Sequence, residues 1–189
     1  MVEALVRRVI ITISGKPGSG KSTVARAVAS RAGMDHVSAG EFMRQIAVAR
    51  RMSVLTLSAI AETDGGGIDK EIDARSARLG EERDNFVIDA RLAWHFIPGS
   101  VKIFLDVSIE VAAARIFGDS RGGETENVDL GSTRSAVESR LESETRRYQA
   151  YYGIDWSDPA HFDLVVDTTA LSIADVVDRV SDYLASLRS

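Results

Sequence analysis

The chain has 189 residues, 44% of them hydrophobic, which suits one domain with a sizeable core. Its 23 basic and 28 acidic residues leave a formal net charge of -5, which argues against nucleic acid or an anionic membrane as the main partner. There is no cysteine, so disulfides and thiolate metal sites are excluded, and the three histidines, His36, His95 and His161, have no ligand spacing.

The apolar run 9–13 is interrupted by Thr12 and preceded by Arg7 and Arg8, so it reads as a buried strand and not as a leader. No stretch approaches the roughly 20 apolar residues of a membrane span, and a cytoplasmic protein is expected. The strand leads into Gly15-Lys16-Pro17-Gly18-Ser19-Gly20-Lys21-Ser22-Thr23, which fits GxxxxGK[ST]. In such a phosphate-binding loop the glycines let backbone N–H groups and a helix N-terminus approach phosphate oxygens. Lys21 is placed to reach β- and γ-phosphates and Ser22 to ligate magnesium.

A helix follows over 22–32, stopped by Gly33, then a short strand at His36 and Val37 running into Ser38-Ala39-Gly40-Glu41. Residues 42–51 look helical, with Phe42, Ile46 and Ala49 on one side, and Ser53 is placed to cap another helix over 54–62. Gly65-Gly66-Gly67 marks a break, read as a hinge or insertion between helices, before a charged helical stretch over 68–80. Residues 86–88 give a third strand ending at Asp89, and 101–105 a fourth ending at Asp106.

Ser108 is expected to cap a helix over 109–117, and the glycine-rich segment 118–124 looks like a lid. Ser135 with Glu138 forms a capping-box pattern near the start of a helix running to about residue 152. Residues 164–166 are the fifth strand, and Ile173, Val176, Val177, Val180 and Leu184 stripe a last helix. Strands alternating with helices predict an α/β fold, a parallel sheet covered on both faces.

Phosphoryl transfer requires charge to be neutralised around two anions, a task suited to arginine. Arg44 and Arg91 follow strand ends on the loop side of the sheet, where ligands bind in such folds. Arg115, Arg121 in the lid, Arg140 and Arg147 are further candidates. Arg140, Glu144 and Arg147 lie at i, i+4 and i+7 and are assigned to the site, whereas Glu142 and Arg146 are read as a solvent-side ion pair. Asp89 is the candidate second acid near magnesium, held through water. Asp69, Asp73 and Arg75 are candidates for base recognition or, equally, for a helix surface. Trp94, His95, Tyr148, Tyr151 and Tyr152 are read as packing residues.

The pieces Ile11-Thr12-Ile13-Ser14-Gly15 with the loop, His36-Val37-Ser38-Ala39-Gly40-Glu41, Ile68-Asp69-Lys70-Glu71-Ile72-Asp73, Arg91-Leu92-Ala93, Arg147-Tyr148 and Tyr152-Gly153-Ile154-Asp155 together resemble the nucleoside monophosphate kinases. The likeness is closer to the cytidylate kinase-like family in its short, archaeal-type form. The resemblance implies strand order 2-3-1-4-5, with a core of residues 1–40, 84–117 and 153–189. It also implies a monophosphate-binding insertion over about 41–83 and a lid with its following helix over about 118–152. It implies that Ser38, Gly40 and Arg44 hold the acceptor monophosphate, that Arg91 contacts its phosphate, and that Arg115 lies beside the donor base. Arg140 and Arg147 resemble the late arginines that engage the acceptor or the transferring phosphate.

The family commonly has Glu-Gly-Arg where this chain has Asp89-Ala90-Arg91. The expected activity is ATP- and Mg2+-dependent phosphorylation of a nucleoside monophosphate, CMP or dCMP, by a monomer or weak dimer whose partners are small nucleotides. The rival readings are a P-loop kinase for AMP, UMP or a shikimate-like acceptor, and a nucleotide-dependent regulatory protein that has lost phosphotransfer.

Overall fold

A computed structural model describes residues 9–119 and 129–187. Its apolar runs form five parallel strands, β1 (Ile10–Gly15), β2 (Asp35–Ser38), β3 (Phe86–Asp89), β4 (Val101–Asp106) and β5 (Leu164–Asp167), in the order β2-β3-β1-β4-β5. The helices are α1 (Lys21–Ala32), α2 (Ala39–Ala49), α3 (Val54–Ala61), α4 (Gly67–Glu82), α5 (Ala93–Phe96), α6 (Ile109–Gly118), α7 (Leu130–Tyr152) and α8 (Ile173–Ser186). Among the described residues, no helix is long and apolar enough to cross a membrane.

Alternation along the strands decides which residues meet which helices. Ile11, Ile13, Val87, Ile103 and Leu105 face α1 and α8, whose Val24, Val28, Val176, Val177 and Val180 close that core. Phe86 and Ile88 point to the opposite face, against Ala93 and Ile97, while Phe104 meets Trp156 and Tyr148. Thr12 and Ser14 also lie on that second face, buried, and are satisfied by the Ser100 hydroxyl and the Arg91 carbonyl.

The register brings the carboxyl ends of the strands together. Ser38 pairs with Asp89, Ile13 with Asp89, and Gly15 with Leu105. The phosphate-binding loop, the Ser38 motif and both strand-end acids therefore share one edge, the edge at which parallel sheets bind ligands.

Two helix starts differ from the sequence expectation. Helix α2 begins at Ala39 rather than 42, so the Ser38 motif runs straight into helix, and Ala49 is exposed while Ile46 and Ala47 are buried. Helix α7 begins at Leu130, capped by Asp129 and Ser132 in a reciprocal box, which leaves Ser135 and Glu138 inside the helix.

The glycine triplet is a hydrogen-bonded turn between α3 and α4. Asp64 accepts from the N–H groups of Gly66 and Ile68 at 2.8 and 2.7 Å, and Gly66 has φ +88. A Cβ at that position would lie 2.8 Å from the Tyr151 ring, so the missing side chain is what lets the turn seat on α7.

The centre of the sheet is the most sensitive part of this packing. Ile103→Ala, at a fully buried position, is expected to lower unfolding free energy by about 2–5 kcal/mol, measured by urea denaturation.

Candidate active site

Helix α1 starts at Lys21 with Gly20 as a left-handed N-cap, and neither a side-chain cap nor an acid in the first turn. Its first N–H groups thus face the loop, with the positive end of the helix dipole behind them. Gly18, at φ +74, holds the loop against α6, since a Cβ there would lie 2.7 Å from the Ala112 Cα. Pro17 and Ser19 are buried, Thr23 is exposed, and Lys16 pairs with Asp106 at 2.6 Å.

Asp89, 2% exposed at the end of β3, is the point where the elements converge. Its Oδ2 accepts from Ser22 Oγ at 2.7 Å and Ser38 Oγ at 3.2 Å, and lies 3.6 Å from Lys21 Nζ. Its Oδ1 lies 2.7 Å from His36 Nε2. Burial and the neighbouring Arg91 push the Lys21 ammonium down to about 8, against the opposing pull of Asp89.

Beside the loop, Arg91 donates to both Glu144 oxygens at 2.7 and 3.2 Å and to the Gly15 carbonyl at 2.7 Å. Arg140 reaches the same carboxylate at 3.1 Å. Burial opposes charge on Glu144, but the two guanidinium groups outweigh it and hold the carboxyl down at about 2. Arg91 so ties α7 to the first carbonyl of the phosphate-binding loop.

The remaining predicted residues are placed elsewhere. Arg44 is exposed and pairs with Glu41 at 2.7 Å, within one turn of Gly40. Arg147 turns away from the loop to Asp69, at 3.0 Å, to Glu62 and to Ser143. Arg115 binds the Thr168 carbonyl at 2.7 Å and the Gly18 carbonyl at 3.4 Å, bracing the loop from the β5 side. Arg75 pairs with Glu71. Arg121 lies outside the described residues. Glu142 and Arg146 are both exposed, and no ion pair joins them among the described residues. Trp94 is buried and stacked on His161, and His95, though exposed, packs edge-on against the Trp94 and Phe96 rings.

A model of the cytidylate kinase-like family matches residues 10–170. The chain belongs to that family. It is 38% identical to a cytidylate kinase from Halobacterium salinarum over 92% of this chain and 88% of that protein. A cytidylate kinase from Methanothermobacter thermautotrophicus is also 38% identical, over 84% of this chain and 94% of that one. A solved shikimate kinase from Bacteroides thetaiotaomicron superposes with a TM-score of 0.63 at 18% identity, covering 94% of this chain and 98% of that one; it shares the fold.

The site suits magnesium and a polyphosphate. Ser22 and Asp89 offer hard oxygens in contact with each other, next to Lys21 and an uncapped helix N-terminus. Among the described residues there is no cluster of three or more His, Asp or Glu placed to cage a metal.

Sequence reasoning missed His36 and Glu62. A usable signal existed for His36, because residues two apart in a strand share a face and Ser38 had already been assigned to the site. Glu62 reaches Arg147 from the end of α3, a long-range contact with no local signature.

Asp73 is 8% exposed and accepts from the Tyr152 hydroxyl at 2.7 Å. Burial, reinforced by the nearby Asp69, pushes its carboxyl up to about 7 despite that hydrogen bond. The native state therefore keeps a proton that the unfolded chain releases near 4, so this residue subtracts stability as pH rises from about 4 to about 7. Asp73→Asn, which retains an oxygen for Tyr152, is expected to shrink the fall in Tm between pH 5 and pH 8 measured by calorimetry.

Proposed function

We propose that this chain transfers the γ-phosphoryl group of ATP, with Mg2+, to CMP or dCMP, yielding ADP and CDP or dCDP. The observation that carries the reading is Asp89. One buried carboxylate is hydrogen-bonded both to Ser22 of the donor loop and to Ser38 of the motif that resembles an acceptor-phosphate holder. Donor and acceptor groups thus meet within one short cluster, as direct transfer demands. Membership of the cytidylate kinase-like family and relatives named cytidylate kinase support the choice of acceptor.

In this reading the N–H groups at the start of α1 and Lys21 bind the donor phosphates, and Ser22, with Asp89 through water, would hold the magnesium ion, which would offset charge on the phosphates. Ser38, Gly40 and Arg44 bind the acceptor monophosphate. An oxygen of that monophosphate forms the new bond to the γ-phosphorus, and the bond to the β-γ bridging oxygen breaks as ADP leaves. The acceptor oxygen is already anionic, so no general base is required. Lys21, Arg91 and the arginines of α7 and the lid, Arg140, Arg147 and Arg121, neutralise charge during transfer.

Arg147 serves that role only after leaving Asp69 and Glu62, a rearrangement assigned to substrate binding. The insertion over about 41–83 closes on the acceptor and the segment over about 118–152 on the donor. Asp73 lies on the acceptor side, and Arg115 beside the donor base. The enzyme acts in the cytoplasm on small nucleotides, without nucleic acid or membrane as partner, as a monomer or weak dimer.

The test is a coupled ADP-release assay with ATP and Mg2+ against CMP, dCMP, UMP, AMP, shikimate and no acceptor. Fast release is expected with CMP or dCMP and loss of turnover in Lys21→Ala; release with another acceptor alone would overturn the specificity. Arg44→Ala is expected to raise the acceptor KM by about tenfold or more, the loss of roughly one charge-assisted contact, with a much smaller change in kcat. An unchanged KM would remove Arg44 from the acceptor site.

A further inference from the structure

Three donors or cations share Asp89 Oδ2, whereas among the described residues Oδ1 has one partner, His36 Nε2 at 2.7 Å. A carboxylate only accepts, so the proton of this bond sits on Nε2 and the imidazole donates. The ring is itself confined, 18% exposed on β2, two residues before Ser38. The terminal torsion of an aspartate is broad and roughly two-fold, so nothing intrinsic to Asp89 fixes which way its carboxylate faces. His36 fixes Oδ1 while Ser22 and Ser38 hold Oδ2. With Oδ1 held, Oδ2 stays on Ser22 at 2.7 Å and stops 3.6 Å short of Lys21.

We propose that His36 is a positioning residue for magnesium-ATP, holding the Asp89 carboxylate so that Oδ2 serves Ser22 and the cation instead of closing onto Lys21. Released from His36, the carboxylate is drawn to the Lys21 ammonium, which takes the acid from the cation and the lysine from the phosphates together. The inference rests on the ATP and magnesium part of the proposed reading and not on the acceptor.

The experiment is calorimetric titration of ATP into the protein over a series of Mg2+ concentrations, with no acceptor present. His36→Leu fills similar space without a donor, and is expected to raise the Mg2+ concentration for half-maximal tightening of ATP binding by about tenfold or more. His36→Gln, whose amide Nε2 can take the place of the ring donor, is expected to recover most of that loss. In an Asp89→Asn background His36→Leu is expected to add nothing, since the group it orients is gone.

An unchanged Mg2+ requirement in His36→Leu would overturn the proposal. So would a His36→Gln variant as impaired as His36→Leu, or an equal further loss on top of Asp89→Asn. Should His36→Leu fail to fold by circular dichroism, His36→Asn, polar and too short to reach, carries the same comparison. Failure with CMP in the coupled assay leaves this titration readable, and failure here leaves the acceptor reading standing.

Discussion

A single buried carboxylate sets the geometry of the edge where the strands end. Asp89 cannot be left uncompensated at 2% exposure, and the hydroxyls, imidazole and ammonium that compensate it come from two other stretches of chain. Ser22 and Lys21 follow β1, His36 and Ser38 belong to β2, and Asp89 ends β3. Satisfying one charge therefore fixes the mutual position of the phosphate-binding loop and the second strand, which are the two halves that the proposed reaction has to align.

A second layer of charge lies on α7. Arg91 and Glu144 are both largely buried, and such a pair loses solvation on each side, so its value is in orientation more than in net stability. The bidentate contact uses the Nε–Nη2 edge of Arg91, which leaves Nη1 free to donate to the Gly15 carbonyl. The long helix is thereby registered to the first turn of the loop through one guanidinium. Arg115 does the same from the far side, through the Gly18 and Thr168 carbonyls.

Much of this was legible in the sequence because its signals are local. The loop motif, the apolar runs that became strands, and the caps Ser53, Ser108 and Gly33 each depend on a few adjacent residues, and each stands where expected. The start of α7 was misplaced because two capping patterns compete within seven residues. Asp129 with Ser132 wins by closing both reciprocal bonds. Glutamates and arginines were legible only as helix faces. Periodicity put Arg140, Glu144 and Arg147 on one side of α7, yet it could not say that Arg147 would meet Glu62 and Asp69, residues roughly eighty positions away that only the folded chain brings near. The same limit explains the glycine triplet. Its turn chemistry was readable, but the tyrosine it accommodates was not.

That contact between Gly66 and Tyr151 has neighbours of the same kind. Tyr152 donates to Asp73, Arg147 spans Asp69 and Glu62, Ser143 reaches Glu62, and the Lys70 ammonium lies 5.6 Å from the centre of the Tyr151 ring. Helices α3 and α4 are thus fastened to the C-terminal half of α7 by polar bonds at several successive turns. A swing of α3 and α4 that left α7 behind would break all of them at once, whereas a swing that carried α7 along would break none. Helices α3 and α4 and the C-terminal half of α7 therefore form one connected body, and Arg91 joins that body to the first carbonyl of the phosphate-binding loop.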